Sequence, residues 1–142
     1  MNPFHFVSDD GTELHTYRYP SQMKETRAVI VYYHGHASYC GKVAYVAHEF
    51  AMRGYDFVGF DQRGHGRSGG LERLISDFDP VKRDSSEFAR LVRQAYPGKR
   101  VFALAESMGG LVVLSVSIDE PELFDALLLV APFIAPHHYV PF

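Results

Sequence analysis

The decapeptide Val101–Gly110, VFALAESMGG, decides how the rest of the chain is read. Val101–Ala105 is apolar and suits a strand, the two closing glycines open a helix, and Ser107 sits at the turn between them. A nucleophilic serine on a tight strand-to-helix turn needs small residues two before and two after it, so that its hydroxyl is lifted clear of the sheet. Ala105-x-Ser107-x-Gly109 meets that demand. Behind such a serine, the first N–H groups of the helix point at the reaction centre and can hold a developing oxyanion. The same residues also suit a serine that only caps the helix expected over Met108–Asp119.

The surroundings of this turn read as alternating strands and helices. Upstream, Ala28–Tyr33 (AVIVYY) is a continuous apolar, β-branched and aromatic run, as expected of a strand buried on both faces of a parallel sheet. Val43–Arg53 carries apolar residues at helical spacing and stops at Gly54. Tyr55–Phe60 is the next strand, and the glycine-dense loop Asp61–Gly70 follows it. Leu71–Phe78 reads as loop with a short helix. Asp79-Pro80 reads as N-cap and first residue of a helix that ends before Pro97-Gly98. Downstream of the turn, Ala126–Val130 is another apolar strand, and Pro132–Phe142 is irregular. At the start, residues 4–19 read as a β-hairpin around Asp10-Gly11. Strands alternating with helices predict an α/β fold: a mostly parallel sheet with helices on both faces, preceded by the hairpin. In such sheets the working loops lie at the carboxyl ends of the strands. Those ends carry His34–Cys40, Asp61–Gly70, Ser107 and Ala131–Pro136.

Bulk properties narrow the function classes. The chain has 142 residues, 46% hydrophobic and 22% charged, enough for one domain with a real core. A net charge of −3 with no basic block argues against a nucleic-acid partner. The single cysteine, Cys40, rules out an internal disulfide framework and suits a reducing, cytoplasmic compartment. Cys40 lacks an evident basic partner and reads as inert. The N-terminus has neither the basic nor the apolar region of a signal peptide, and Ala126–Pro136 is too short to span a bilayer.

Three motifs now converge: Tyr33-His34-Gly35 closing one strand, Asp61-x-Arg63-Gly64-His65-Gly66-x-Ser68 closing the next, and Glu106-Ser107-Met108-Gly109-Gly110 at the turn. In order, spacing and strand context the chain resembles the α/β-hydrolases, and within them the monoacylglycerol lipase and serine aminopeptidase-like branch. Leu127–Pro132 fits that family's strand after the elbow helix. The resemblance implies that Ser107 is the nucleophile and that the backbone N–H groups of His36 and Met108 form the oxyanion hole. His36 then acts through its backbone, its imidazole being incidental. His34, Gly35, Asp61, Arg63, Gly64, Gly66 and Gly109 are motif residues with structural roles, an Asp61–Arg63 pair bracing its turn. No cofactor and no metal are implied. The implied substrate is a small carboxylic ester or monoacylglycerol. Peripheral membrane contact and self-association through an exposed sheet edge are further expectations.

The family's order is serine, then an acid, then histidine. By resemblance both partners lie on loops after later strands, beyond residue 142. Residues 1–142 are therefore expected to be a single domain that stops after about six of eight strands, without most of the lid, the last strands or the triad acid and histidine. Asp125 precedes its strand and so lies roughly 20 Å from the catalytic edge. His137 and His138 follow that strand on the correct side but read as residues of the lid's start. The alternative is a catalytically inactive remnant or interaction module.

Two rival sites fail on the residues. Gly64–Gly69 spells G-x-G-x-x-G, but Gly70 and the loop after it leave no helix opening on those glycines, and Asp84 lies in a helix rather than at a strand end. On a strand, His34 and His36 would point to opposite faces, and no cysteine or carboxylate cluster completes a metal set.

Overall fold

The computed structural model describes residues 6–72, 74–75 and 77–134. The chain opens with β1 (Phe6–Val7) and β2 (Glu13–Leu14), an antiparallel ribbon that turns through Asp10-Gly11. Strands β3 (Thr16–Tyr19), β4 (Ala28–Tyr33), β5 (Tyr55–Phe60), β6 (Arg100–Glu106) and β7 (Ala126–Val130) form one sheet in the order β3-β5-β4-β6-β7. All neighbours are parallel except β3, which runs antiparallel to β5 at one edge. Helices α1 (Ala44–Met52), α2 (Phe78–Ala95) and α3 (Met108–Asp119) make the crossovers.

β4 is covered on both faces, as its run of apolar and aromatic residues requires. Ile30 and Tyr32 point to one side, where they pack with Phe57, Cys40 and Ala47 of α1. Val29, Val31 and Tyr33 point to the other, against Phe88 and Val92 of α2 and Val112, Val113 and Val116 of α3. Each such side chain taken fully out of water contributes about 1.5–3 kcal/mol.

Two expectations are corrected. The N-terminal hairpin is present, with Phe4 and His5 outside the described residues, but its returning arm is split at His15. There the backbone leaves the ribbon, its N–H donating to Ser68 Oγ at 2.9 Å and its carbonyl accepting from Asp61 N at 2.8 Å. These long-range bonds hand the next four residues to the main sheet. Helix α2 begins one residue before Asp79, with Asp77 as its N-cap; the Asp77 carboxylate accepts from Asp79 N at 3.0 Å. Pro80 then falls in the first turn, where no intrahelical acceptor exists for a backbone N–H.

The parallel strands aim their carboxyl ends the same way. The turns after β4, β5, β6 and β7 therefore meet along one edge.

Candidate active site

Ser107 joins β6 to α3 in a conformation few residues tolerate, φ 50° and ψ −115°. Backbone bonds hold it there. Its N–H donates to Val130 O at 3.0 Å, and its carbonyl accepts from Gly110 N and Phe133 N, both at 2.9 Å. Its side chain makes no capping hydrogen bond to the helix, so the capping alternative is not what the serine does. Gly109 lets α3 start so close to β4: a Cβ there would stand 2.2 Å from the Tyr33 carbonyl oxygen. Beside the serine, the exposed Glu106 accepts a hydrogen bond from Tyr32 OH at 3.0 Å.

The turn after β4 passes directly in front of this serine. A Cβ on Gly35 would lie 3.2 Å from Ser107 Cβ and 3.9 Å from Ser107 Oγ, so only glycine leaves the approach open. His34 is fully buried and fixes the turn from behind. Its Nε2 accepts from Gln62 N at 2.9 Å, which leaves the proton on Nδ1; that N–H donates to Gly35 O at 2.8 Å. Burial pushes the His34 pKa down to about 4, so the ring is neutral and this tautomer is locked. Gly35 O belongs to the same peptide unit as His36 N. His34 thus orients the amide of His36 by holding its other end. Among the described residues, neither His36 N nor Met108 N donates a hydrogen bond.

The loop after β5 is a separate brace, wired differently from the expected Asp61–Arg63 pair. The Asp61 carboxylate instead accepts from Cys40 N at 2.7 Å, Arg67 N at 2.9 Å and Tyr17 OH at 3.2 Å. Gly66, in left-handed backbone at φ 54°, wraps this carboxylate so tightly that a Cβ would fall 2.1 Å from Asp61 Oδ2. Gly64 is also left-handed and donates its N–H to Gly69 O at 2.8 Å, closing the loop. Arg63 reaches the other way. Its guanidinium binds the buried Asp84 of α2 through Nε at 2.6 Å and Nη2 at 2.9 Å, and Asp10 of the ribbon at 2.8 Å. The hydrogen bond from Arg63 holds the Asp10 carboxyl well below the usual carboxylate range. Asp84, set aside above as an acid for a dinucleotide, is therefore the anchor of this loop. Its signal in the sequence was an acid within the apolar stripe of α2.

His65 of the same loop is buried, and it touches His36. Its Nδ1 donates to Arg63 O at 3.0 Å, and its Nε2 lies 3.3 Å from His36 Nδ1. The His36 imidazole is thus engaged rather than incidental, a contact that sequence order alone does not reveal.

The remaining candidates lie elsewhere. Asp125 sits at the opposite end of the sheet, where its carboxylate accepts from Val101 N at 2.7 Å. Cys40 is buried and its thiol is pushed up by desolvation, so it stays protonated. Among the described residues the next helix after Gly69 starts at Phe78, so none opens on the glycines as a dinucleotide site requires. His137 and His138 lie outside the described residues. Among the described residues no helix is long and apolar enough to cross a membrane.

Comparison with known proteins agrees with this architecture. Residues 24–142 match the family model described as "Serine aminopeptidase, S33". The chain is 32% identical over 132 residues to the monoglyceride lipase of Mus musculus, covering 92% of this chain and 43% of that protein. It is 30% identical over 113 residues to the monoacylglycerol lipase of Mycolicibacterium smegmatis, covering 80% of this chain and 40% of that protein. The crystal structure of a monoglyceride lipase from Saccharomyces cerevisiae superposes with a TM-score of 0.80 at 23% identity, over 94% of this chain and 46% of that one. The chain spans less than half the length of these relatives. With an α/β-hydrolase fold and a family match over most of its length, the chain belongs to the serine aminopeptidase S33 family of α/β-hydrolases.

Proposed function

We propose that the protein is a serine hydrolase of carboxylic esters, of the monoacylglycerol lipase type, working through an acyl-enzyme on Ser107. The observation that carries this reading is the backbone of Ser107, held at φ 50° and ψ −115° with a hydroxyl that caps nothing. Strain of this kind costs about 1–3 kcal/mol and persists where a function depends on it. Ser107 Oγ attacks the ester carbonyl carbon and gives up its proton to a histidine base. The carbonyl oxygen becomes an oxyanion held by the N–H groups of His36 and Met108, each such donor contributing about a hundredfold or more in rate. The tetrahedral species collapses, the alcohol leaves with the proton, and water then releases the acid from the serine ester. In this proposal the histidine and its acid partner come from chain beyond residue 142. The same attack would serve a peptide bond; the lipase relatives support the ester. The substrate is small, and its acyl chain brings the protein to lipid surfaces from the cytoplasm. The outer edge of β7, where Val130 is 53% exposed, would make residues 1–142 self-associate when isolated.

A second reading, an inactive remnant or interaction module, is favoured by one observation. Among the described residues no histidine or carboxylate hydrogen-bonds Ser107 Oγ. The intact mass of the native protein, together with glycerol release from a monoacylglycerol, separates the two. The enzyme reading expects a species well above 16.0 kDa whose activity disappears in Ser107→Ala. A native species at 16.0 kDa without esterase activity would favour the remnant.

A further inference from the structure

The two histidines in contact across the oxyanion turn have no place in the chemistry so far. We propose that His36 and His65 form an imidazole bridge that positions the His36 amide for oxyanion binding; this rests on the serine-hydrolase reading above. The proton bookkeeping is fixed by the neighbours. Arg63 O can only accept, so His65 Nδ1 carries a hydrogen, and in the neutral ring Nε2 is then the acceptor. His36 Nδ1 faces that acceptor at 3.3 Å and donates to it. The rings meet edge to face, with centroids 5.2 Å apart.

The bridge ties an exposed turn to an anchored loop. His65 is 4% exposed and stands beside the fully buried His34, ring centroids 5.3 Å apart. The carbonyl that holds His65 belongs to Arg63, itself bound to Asp84 of α2. On the other side, His36 is followed by Ala37 in left-handed backbone at φ 55°, inside a turn that Ser38 N closes with a long 3.3 Å hydrogen bond to Gly35 O. The Gly35–His36 peptide is thus gripped at its carbonyl by His34 and Ser38 N, and through the His36 side chain by His65. A peptide held only at the carbonyl can still rock about that bond, and a misplacement of about 1 Å at a reacting centre can cost on the order of a hundredfold. His36 and His65 are positioning residues in this account, since neither ring touches the reacting atoms.

The test uses the complete natural protein and steady-state hydrolysis of a short-chain ester. Ser107→Ala comes first: persistence of activity there would overturn the serine-hydrolase reading and this inference with it. With activity dependent on Ser107, His36→Ala is expected to lower kcat about tenfold with KM within about twofold, because a transition-state donor has been misaimed. His36→Asn places a side-chain N–H near the lost Nδ1–H and should recover kcat to within about threefold of wild type. The double variant His36→Ala/His65→Ala should lose no more than the worse single variant, as coupled partners do. Because His36 is exposed, its two variants keep their melting temperature and carry the test even if His65→Ala fails to fold. A wild-type kcat in His36→Ala, a change confined to KM, or no recovery in His36→Asn would each overturn the bridge while leaving Ser107 as nucleophile.

Discussion

The two ends of the sheet are built on opposite terms. At the amino end, polar groups are satisfied to excess. Asp56, at the start of β5, accepts hydrogen bonds from Arg18, Ser21 N, Thr26 and Tyr96. Burial works against its charge, but these donors outweigh it and hold its pKa below the ordinary value. Asp125, before β7, takes Val101 N and the Arg93 guanidinium. At the carboxyl end the backbone is strained instead. Among the described residues, the three non-glycine residues with positive φ are Ala37, Ser107 and Ala131, following β4, β6 and β7 in turn. Two amides there, at His36 and Met108, donate to nothing in the described chain. One end is optimised for stability, and the other spends stability to keep donors and a hydroxyl available.

Substitutions at either end test this contrast. The largest effect on folding is expected at Gly109→Ala. The new methyl would meet backbone atoms of Tyr33 and His34 at 2.2–2.8 Å, which cannot step aside. A loss of about 3 kcal/mol or more is expected by denaturant unfolding. His34 gives an effect of nearly the same size, but one that depends on pH. The folded ring stays neutral to about pH 4, whereas the unfolded ring takes up a proton near 6.5. The unfolded state therefore binds more protons in that window. Stability from this group is complete above about pH 6.5 and falls as pH drops toward 4, by up to about 3 kcal/mol. His34→Asn should lose that slope relative to wild type when unfolding is followed at pH 7 and at pH 4.5.

Asp56→Ala leaves several donors at the amino end without their acceptor. It should cost about 2 kcal/mol in stability while the rate of Ser107 labelling by a serine-directed reagent stays at the wild-type value. A labelling change would show that the two ends are not independent. The smallest effect separates strain from chemistry. Ser107→Gly and Ser107→Ala are both expected to be inactive, but glycine adopts φ 50° with ψ −115° without penalty, whereas alanine adopts it only at a cost. The glycine variant should therefore be the more stable of the two, by about 1 kcal/mol, read from melting temperatures.

Much of the fold was legible from its apolar runs, most clearly in β4, which is buried on both faces. The run Ala28–Tyr33 forms β4 with the bounds its apolar composition suggests, and Ala126–Val130 and Met108–Asp119 likewise hold theirs. Two of the differences have a common cause, bonds between residues far apart in sequence. The break at His15 depends on Ser68 and Asp61, and the loop anchor on Asp84, 21 positions after Arg63. A local pattern carries no trace of such partners. In the site, the elbow at Ser107 could be read because its small neighbours are adjacent in sequence. The His36–His65 contact could not, since it joins turns 29 residues apart. The start of α2 differs for a local reason: Asp77 and Asp79 are both capable caps, and it is the Asp77 carboxylate that accepts, from Asp79 N.

The central claim is that the strained serine is a nucleophile. The most direct measurement is labelling of the native protein with a fluorophosphonate, followed by peptide mapping of the adduct. The account predicts one adduct, on Ser107, abolished in Ser107→Ala and suppressed by prior incubation with a monoacylglycerol. An adduct on another residue, or labelling that survives in Ser107→Ala, would contradict it.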